Sequence, residues 1–295
     1  MPSLREMRRR MQSVANIGQV THALEAVSAS KVRRAQQAVL ATRPYADRAW
    51  QVLSHLASQA GRDTVHPLLT ERREVRRICV VMVSGDRGLA GGFYSNIVRA
   101  TLDRFRASRV PVEYVIVGRK GRDIMSRRRV RIVAEFSSLP ADPTFADVSS
   151  IGRLVVDEFL QGRVDQIYLA YTRFVTLMRQ EPTIRKMLPL EIEVGPQRPT
   201  ASGHPVYIYE PSEAALINQI VPRFTALQLY QAILESLASE HAARMVAMRN
   251  ATDNAHELVE ALRLQYNKAR QQAITSDMLD IAGGAEALAM ARGNA

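Results

Sequence analysis

The sequence predicts an α/β protein with two parts. Two long terminal helices form an antiparallel coiled coil, and the residues between them form a module with a mainly parallel sheet. Residues 224–281 contain no glycine or proline, and a continuous helix of that length would extend about 90 Å. Residues 3–43 contain no proline and one glycine, Gly18. Between these segments, apolar runs typical of buried strands alternate with helical segments, which is the pattern of an α/β unit.

The composition indicates a protein that binds acidic partners. The 295 residues are 46% hydrophobic, carry a formal net charge of +11 and have a pI of about 10.3. Nucleic acid, anionic lipid and an acidic protein surface all fit that charge. Cys79 is the one cysteine, so no disulfide forms within the chain. No apolar run approaches the ~20 residues of a membrane span, and any membrane association is therefore expected to go through a partner.

The N-terminal segment has the start signal and the spacing of a coiled-coil helix. Ser3 and Glu6 have the spacing of a capping box. Apolar residues then follow at three- and four-residue steps, first Leu4, Met7, Met11 and Val14, and next Ile17, Val20, Leu24 and Val27 with a shifted phase. We predict a helix over residues 3–43 that resumes after Pro44 and Tyr45 as far as Ser58.

The middle of the chain predicts the sheet. Strands are expected at residues 75–83, 112–117, 130–133, 166–177 and 188–194, and helices at residues 93–108, 119–128 and 147–160. Residues 195–211 hold four prolines and are predicted to be a linker. The predicted domains are residues 1–60 for the N-terminal helix, 61–210 for a Rossmann-like α/β module and 211–295 for the C-terminal helix.

The C-terminal helix is predicted to extend beyond the end of the N-terminal helix with which it pairs. A short helix starts near Glu213, and Pro222 is expected to break or kink it. The long helix then carries a seam of apolar spacing, formed by Leu227, Tyr230, Leu234, Leu237, His241, Met245 and Met248. Its last turns also carry apolar residues, namely Leu262, Tyr266, Ile274, Met278, Leu279 and Ile281. Another protein is expected to cover them, since a lone helix does not leave such residues in water.

Chemical motifs are weak throughout the chain. The glycine-rich residues 85–92 suggest a phosphate loop, but they lack the Gly-Lys-Ser/Thr ending, so a tight turn with contact roles for Asp86 and Arg87 is favoured. Histidines and carboxylates show no metal-ligand or triad spacing, and His22 and His241 are expected to be packed or interface residues. Residues 119–131 hold seven Lys/Arg without aromatic interleaving, which leaves a basic nucleic-acid-binding protein as the alternative hypothesis. The sequence therefore predicts an interaction protein with no catalytic or metal site.

Long motifs over nearly the whole chain resemble the gamma subunit of F-type ATP synthases. These are residues 3–10, 20–25 and 30–35, the glycine-rich residues 86–92 with Ser95 and Asn96, and residues 118–121, 180–182, 234–245, 251–255, 266–275 and 281–285. Departures are small: Leu24 stands where methionine is common, Phe93-Tyr94 where Tyr-Asn is common, and Asp277 and Asp280 where glutamates are usual. The single Cys79 cannot form the regulatory cysteine pair of chloroplast forms, and without a transit peptide the resemblance points to a bacterial enzyme.

The resemblance implies a central rotor shaft with no bond chemistry of its own. The shaft would couple transmembrane proton flow to ATP synthesis in the alpha/beta hexamer, with ATP, ADP and magnesium bound by alpha and beta and no cofactor bound by this chain. Implied partners are the alpha, beta and epsilon subunits and the c-ring, with one copy of the chain, no nucleic acid and no membrane span. The implied location is peripheral, on the cytoplasmic face of the bacterial inner membrane. The implied contact residues are Arg8, Arg9, Leu24, Lys31, Arg33, Arg34, Asp86, Arg87, Arg244, Arg270, Gln271 and Thr275.

Overall fold

The computed structural model describes residues 3–59, 67–190 and 213–293. Two helices contribute most of the helical residues: α1 (Leu4–Gln59) and α5 (Glu213–Gly293). Between them lie three shorter helices, α2 (Phe93–Phe105), α3 (Arg119–Arg127) and α4 (Phe145–Leu160), and a 3-10 turn at Pro67–Leu69. The strands are β1 (Ile78–Val83), β2 (Val112–Val117), β3 (Ile132–Phe136), β4 (Gln166–Phe174) and β5 (Gln180–Leu188).

The chain divides into two compact units, Met1–Val27 with Met245–Ala295, and Ser28–Arg244. The larger unit holds a five-stranded sheet in the order β3-β2-β1-β4-β5. The pairs β3–β2, β2–β1 and β1–β4 are parallel, and β4–β5 is antiparallel. The predicted α/β class with a mainly parallel sheet is confirmed. The predicted domain boundaries stay a prediction.

Both faces of the sheet are covered, as buried parallel strands require. Alternate residues of β1 point to opposite faces, so Val81 packs with α4 and α5, and Met82 packs with α2 and α3. Helices α4 and α5 approach closely at one point, because a Cβ on Gly152 would lie 2.9 Å from the Cβ of Ala226. The absence of a side chain at Gly152 therefore fixes how α4 sits on the long helix.

Both long helices run through the prolines that were expected to interrupt them. Pro44 lies inside α1 and Pro222 inside α5, and α5 also continues past Gly283 and Gly284. The predicted interruption at Pro44, the separate short helix and the end near Ile281 were wrong. Packing explains the continuity around Pro222, since its neighbours Val221 and Phe224 are buried in the core and outweigh one lost backbone hydrogen bond.

Strand β5 was missed by the sequence interpretation. It follows β4 through a tight turn, in which the Arg179 amide donates to the Thr176 carbonyl at 3.3 Å. Its sequence is polar and contains Pro182, which an edge strand tolerates because, among the described strands, β5 pairs on one side only. Of the strand predicted at residues 188–194, Leu188 ends β5, and residues 191–194 lie outside the described residues, as does the predicted linker at residues 195–211.

The smaller unit is an antiparallel helix pair. Gly18 faces Ala255, and the Thr21 and Thr252 hydroxyls lie 2.7 Å apart. The residue numbers of the contacting partners thus increase along α1 and decrease along α5, which confirms the antiparallel coiled coil. The same register places Leu4 opposite Ala269, and every described side chain of residues 270–285 is exposed.

The seam of α1 keeps its phase where a shift was predicted. Leu4, Met7, Met11 and Val14 are buried or half-buried, as expected, and the three- and four-residue steps then continue through Gly18 and Thr21. The prediction that Ile17, Val20 and Val27 continue the seam was wrong, because these side chains are 54%, 59% and 52% exposed. The small residues Gly18 and Thr21 therefore occupy the seam in this part of α1, and Ile17, Val20 and Val27 lie outside it.

Candidate functional site

The glycine-rich loop of residues 85–92 is fastened to the start of α3 by its own polar groups. The Asp86 carboxylate accepts from the backbone amides of Arg119 at 2.9 Å and Ser138 at 2.8 Å. The Gly85 carbonyl accepts from Lys120 N at 2.9 Å, and the Ser84 hydroxyl accepts from Gly121 N at 3.0 Å. The free amides of a helix start are what a phosphate would bind. Because the chain itself occupies the first three amides of α3, this loop acts as a turn.

Arg244 of α5 clamps the same loop from the other side. Its guanidinium donates to the Gly88 carbonyl at 3.1 Å, the Tyr94 hydroxyl at 3.2 Å and the Glu240 carboxylate at 2.5 Å. The Tyr94 hydroxyl in turn donates to the Arg87 carbonyl. The Glu240 carboxylate also lies where a Cβ on Gly85 would stand, so a larger residue there would displace this carboxylate from its place beside Arg244. We call Arg244, Glu240, Tyr94 and the backbone of residues 87–88 the Arg244 clamp.

Burial sets the protonation of the groups around the clamp. The pKa of His241 is lowered to about 4, first by burial and then by the positive charge of Arg244. His241 is therefore neutral near pH 7, and its Nδ1 lies 3.2 Å from an Arg244 nitrogen. The pKa of Tyr94 is raised, chiefly by burial and next by the Glu240 charge, so its hydroxyl keeps its proton. This arrangement holds the loop and α2 on α5 and presents no nucleophile or free base.

The structure distributes the predicted contact residues over different environments. The side chains of Arg8, Arg9, Arg33 and Arg34 are exposed on α1, and those of Leu24 and Lys31 are half-buried. On α5, Arg270, Gln271 and Thr275 are exposed, whereas Arg244 is buried in the clamp. Asp86 is half-buried with its carboxylate already bonded, and the Arg87 side chain is exposed. Their contacts with partners stay predictions.

Sequence reasoning missed two sets of residues. Glu240 and Tyr94 complete the Arg244 clamp, and the spacing of Glu240 four residues before Arg244 on one helix was the available signal. Ile17, Val20 and Val27 were assigned to the intrachain seam but form an exposed apolar stripe on α1. Exposed apolar residues at helical spacing mark a surface for another protein.

The described part of the chain offers neither a cluster of metal ligands nor a helix suited to a membrane. Within residues 3–59, 67–190 and 213–293, no group of three or more His, Cys, Asp or Glu side chains is arranged to hold a metal ion. In the same ranges, no helix combines the length and the apolar content that a membrane crossing needs.

These features define a class of protein before any comparison. A subunit that works by contact with other proteins typically has such features. They are an α/β unit clamped to a long helix, a two-helix coiled coil, and basic and apolar side chains that are exposed on both long helices.

Comparisons with known proteins give the family. The family model described as ATP synthase matches residues 3–288. The ATP synthase gamma chain of Dehalococcoides mccartyi strain CBDB1 is 46% identical over 292 residues, which cover 98% of this chain and 100% of that relative. That of Roseiflexus castenholzii is 47% identical over 293 residues, covering 98% and 99%. The chain belongs to the ATP synthase gamma-chain family.

Solved structures agree at the level of the fold. A chain of the Euglena gracilis mitochondrial ATP synthase assembly of OSCP, F1 and c-ring matches with a TM-score of 0.68 and 19% identity, covering 97% of this chain and 94% of that one. A chain of the rotor of the same enzyme matches with a TM-score of 0.64 and 17% identity, covering 92% and 98%. The resemblance in fold therefore extends along nearly the whole chain.

Proposed function

We propose that this chain is the central rotor shaft of an F-type ATP synthase, which couples transmembrane proton flow to ATP synthesis by rotation. The observation that carries the proposal is the end of α5, where every side chain of residues 270–285 is exposed and none of the described residues covers them. Ile274, Met278, Leu279 and Ile281 are apolar and between 46% and 74% exposed. Such a segment needs a wall supplied by other subunits.

The wall is the bore of a hexamer of alternating alpha and beta subunits. Arg8, Arg9, Lys31, Arg33 and Arg34 face acidic segments of the hexamer, and Leu24, Arg270, Gln271 and Thr275 touch it as the shaft turns. Different shaft faces favour different beta conformations, which is how rotation changes the affinity of three catalytic sites in turn. ATP, ADP and magnesium bind alpha and beta, and this chain has no catalytic site of its own.

The α/β unit is the part that receives torque. It rests with the epsilon subunit on the c-ring, so the chain is peripheral to the cytoplasmic face of the bacterial inner membrane. The Arg244 clamp supports this role, because it ties the sheet and its glycine-rich loop to α5 through a buried ion pair and bonds to backbone carbonyls. A load applied to the sheet then reaches α5 through buried contacts.

Native mass spectrometry of the complex that copurifies with this chain tests the proposal. We expect one copy of the chain for every three alpha and three beta subunits, with epsilon and c subunits in the intact assembly. A chain that copurifies without alpha and beta, and that binds duplex DNA with an affinity falling steeply with salt, would instead support the nucleic-acid alternative.

A further inference from the structure

The groove between α2 and α3 in the larger unit has the features of an anion site that the shaft function does not use. Its volume is about 550 Å³, within the usual range of small-molecule pockets. Val98, Leu102 and Ile124 give it an apolar lining, and Tyr114 of β2 also lines it. The groove lies within one compact unit, so both of its walls belong to the same body.

Tyr114 brings a hydroxyl group to the wall of this groove. Its side chain is 4% exposed, and within residues 3–59, 67–190 and 213–293 its hydroxyl makes no hydrogen bond. Burial raises the pKa of this hydroxyl, which therefore remains a proton donor. The hydroxyl is not among the buried side-chain atoms without a partner, so it is open to the groove and can donate to a ligand there.

Three arginines surround the same groove, namely Arg99, Arg106 and Arg128. None of them forms an ion pair or a side-chain hydrogen bond with the described residues. Arg106 and Arg128 stand at the C-caps of α2 and α3, where the helix dipole alone favours a cation. Arg99 is exposed two turns before the end of α2, beyond the reach of that effect, and adds a third guanidinium group to the lining.

The charge and the donors together select the ligand. Asp103 is the one carboxylate that lines the groove among the described residues, so the lining has three guanidinium groups against one carboxylate. Guanidinium groups bind phosphate oxygens in pairs, and a phosphate offers more acceptors than a carboxylate does. We propose that this groove binds a phosphate group carried on an apolar or aromatic body. Arg99, Arg106 and Arg128 hold the phosphate, and Tyr114 donates from the groove wall.

An anionic phospholipid headgroup and a soluble phosphate ester share this chemistry, and binding assays on the full purified chain separate them. One assay measures sedimentation with vesicles of phosphatidylglycerol mixed with phosphatidylcholine, compared with pure phosphatidylcholine. The other measures binding of phenyl phosphate by calorimetry. Vesicle binding without phenyl phosphate binding assigns the groove to lipid, and phenyl phosphate binding assigns it to soluble esters.

Matched variants decide whether the groove is the site. The double variant Arg99→Gln with Arg128→Gln removes two lining charges, and Arg104→Gln with Arg127→Gln removes two exposed charges of the same helices outside the groove. We expect the first pair to weaken binding by roughly tenfold or more, since it removes two charge-assisted hydrogen bonds to the phosphate, and the second to change it little. Tyr114→Phe, which keeps the charge, should also weaken binding, with folding checked by circular dichroism.

Equal weakening by both double variants would overturn the proposal, because general charge attraction would then suffice. Absence of binding to both probes would overturn it as well. This inference does not depend on the shaft function, because the assays use the free chain. None of the five substituted residues is among the predicted hexamer contacts, so the subunit ratio in native mass spectrometry should be unchanged in every variant.

Discussion

At the scale of single residues, Arg244 makes the most consequential contacts. Its guanidinium satisfies the Gly88 carbonyl and the buried Glu240 carboxylate, whose side chain is 7% exposed. Removing one member of a buried ion pair leaves the other charge without compensation, which is far more costly than removing both. The clamp therefore requires both partners together.

The variant Arg244→Ala tests this requirement. We expect it to lower the free energy of unfolding by about 3–5 kcal/mol, measured by urea denaturation, because the Glu240 carboxylate loses its cation. The double variant Glu240→Gln with Arg244→Met, which removes both charges, should cost clearly less. Equal losses in the two variants would show that the packing of the arginine, and not its charge, holds the loop.

His241 gives the clamp a pH dependence with a defined sign. Its pKa is about 4 in the folded chain against about 6.5 when unfolded, so the unfolded state binds more protons between these values. Stability should fall as the pH drops from 6.5 towards 4, by about 1–3 kcal/mol for this half-buried group. Urea denaturation across that range should show the slope, and the variant His241→Gln should largely lose it.

The residue scale also shows what sequence alone could not supply. The resemblance singled out Arg244 as a contact residue, but its bond to Gly88 spans 156 residues of sequence. Glu240 lay one helical turn away and was detectable by spacing, whereas Tyr94 is brought to the clamp only by the packing of α2. Tertiary contacts of this kind leave no local pattern.

At the scale of elements, the two helices of the smaller unit pack closely at Gly18, where there is room for a methyl group and for little more. A Cβ there would lie 3.4 Å from the Cβ of Ala255, which is ordinary contact, so Gly18→Ala should fit and gain helix propensity of about 0.5–1 kcal/mol. Gly18→Leu should overpack the seam and cost about 1–3 kcal/mol. Thermal unfolding followed by circular dichroism at 222 nm would measure both effects.

Gly283 supplies the control for these two variants. It lies on α5 in the same unit, and a Cβ there would meet nothing within 4 Å. Both Gly283→Ala and Gly283→Leu should therefore be neutral or slightly stabilising. If Gly18→Leu behaved like Gly283→Leu, the close approach of the two helices at Gly18 would be refuted.

Elements with strong patterns were predicted well, and those fixed by context were not. Strand β2 was predicted with its bounds, because residues 112–117 are an apolar run between turn signals. Strand β5 is polar and was missed, since pairing with β4 at the sheet edge, and not its own composition, makes it a strand. On α1, the prediction placed the seam at Ile17 and Val20 because these residues are hydrophobic. In the structure the three- and four-residue spacing of buried positions continues through Gly18 and Thr21.

At the scale of the whole molecule, both long helices leave large apolar side chains exposed. Ile17, Val20 and Val27 on α1 and the last turns of α5 are exposed, while the sheet is covered on both faces. Burying such surface contributes roughly 25 cal/mol per Å² when a partner encloses it. These residues therefore add little to the stability of the free chain, and under the proposed function we expect them to contribute when the chain assembles with its partners.

The end of α5 tests this division between folding and assembly. We expect the triple variant Ile274→Gln, Met278→Gln and Ile281→Gln to leave the unfolding of the free chain unchanged within about 0.5 kcal/mol, because these side chains are exposed. In the reconstituted enzyme it should lower proton-driven ATP synthesis several-fold while the subunits remain assembled, since the contact guides the shaft and does not hold the head.

A matched triple variant of polar residues in the same segment, Gln272→Ala, Ser276→Ala and Asp280→Ala, separates the apolar contact from mere surface change. These side chains are exposed as well, and their loss should alter synthesis less than the apolar triple. Unaltered synthesis in the apolar triple would refute an apolar wall around α5. Complete dissociation of the alpha/beta head would instead show that this end is essential for assembly. The burial of these apolar side chains would then contribute binding free energy that the complex needs to stay together.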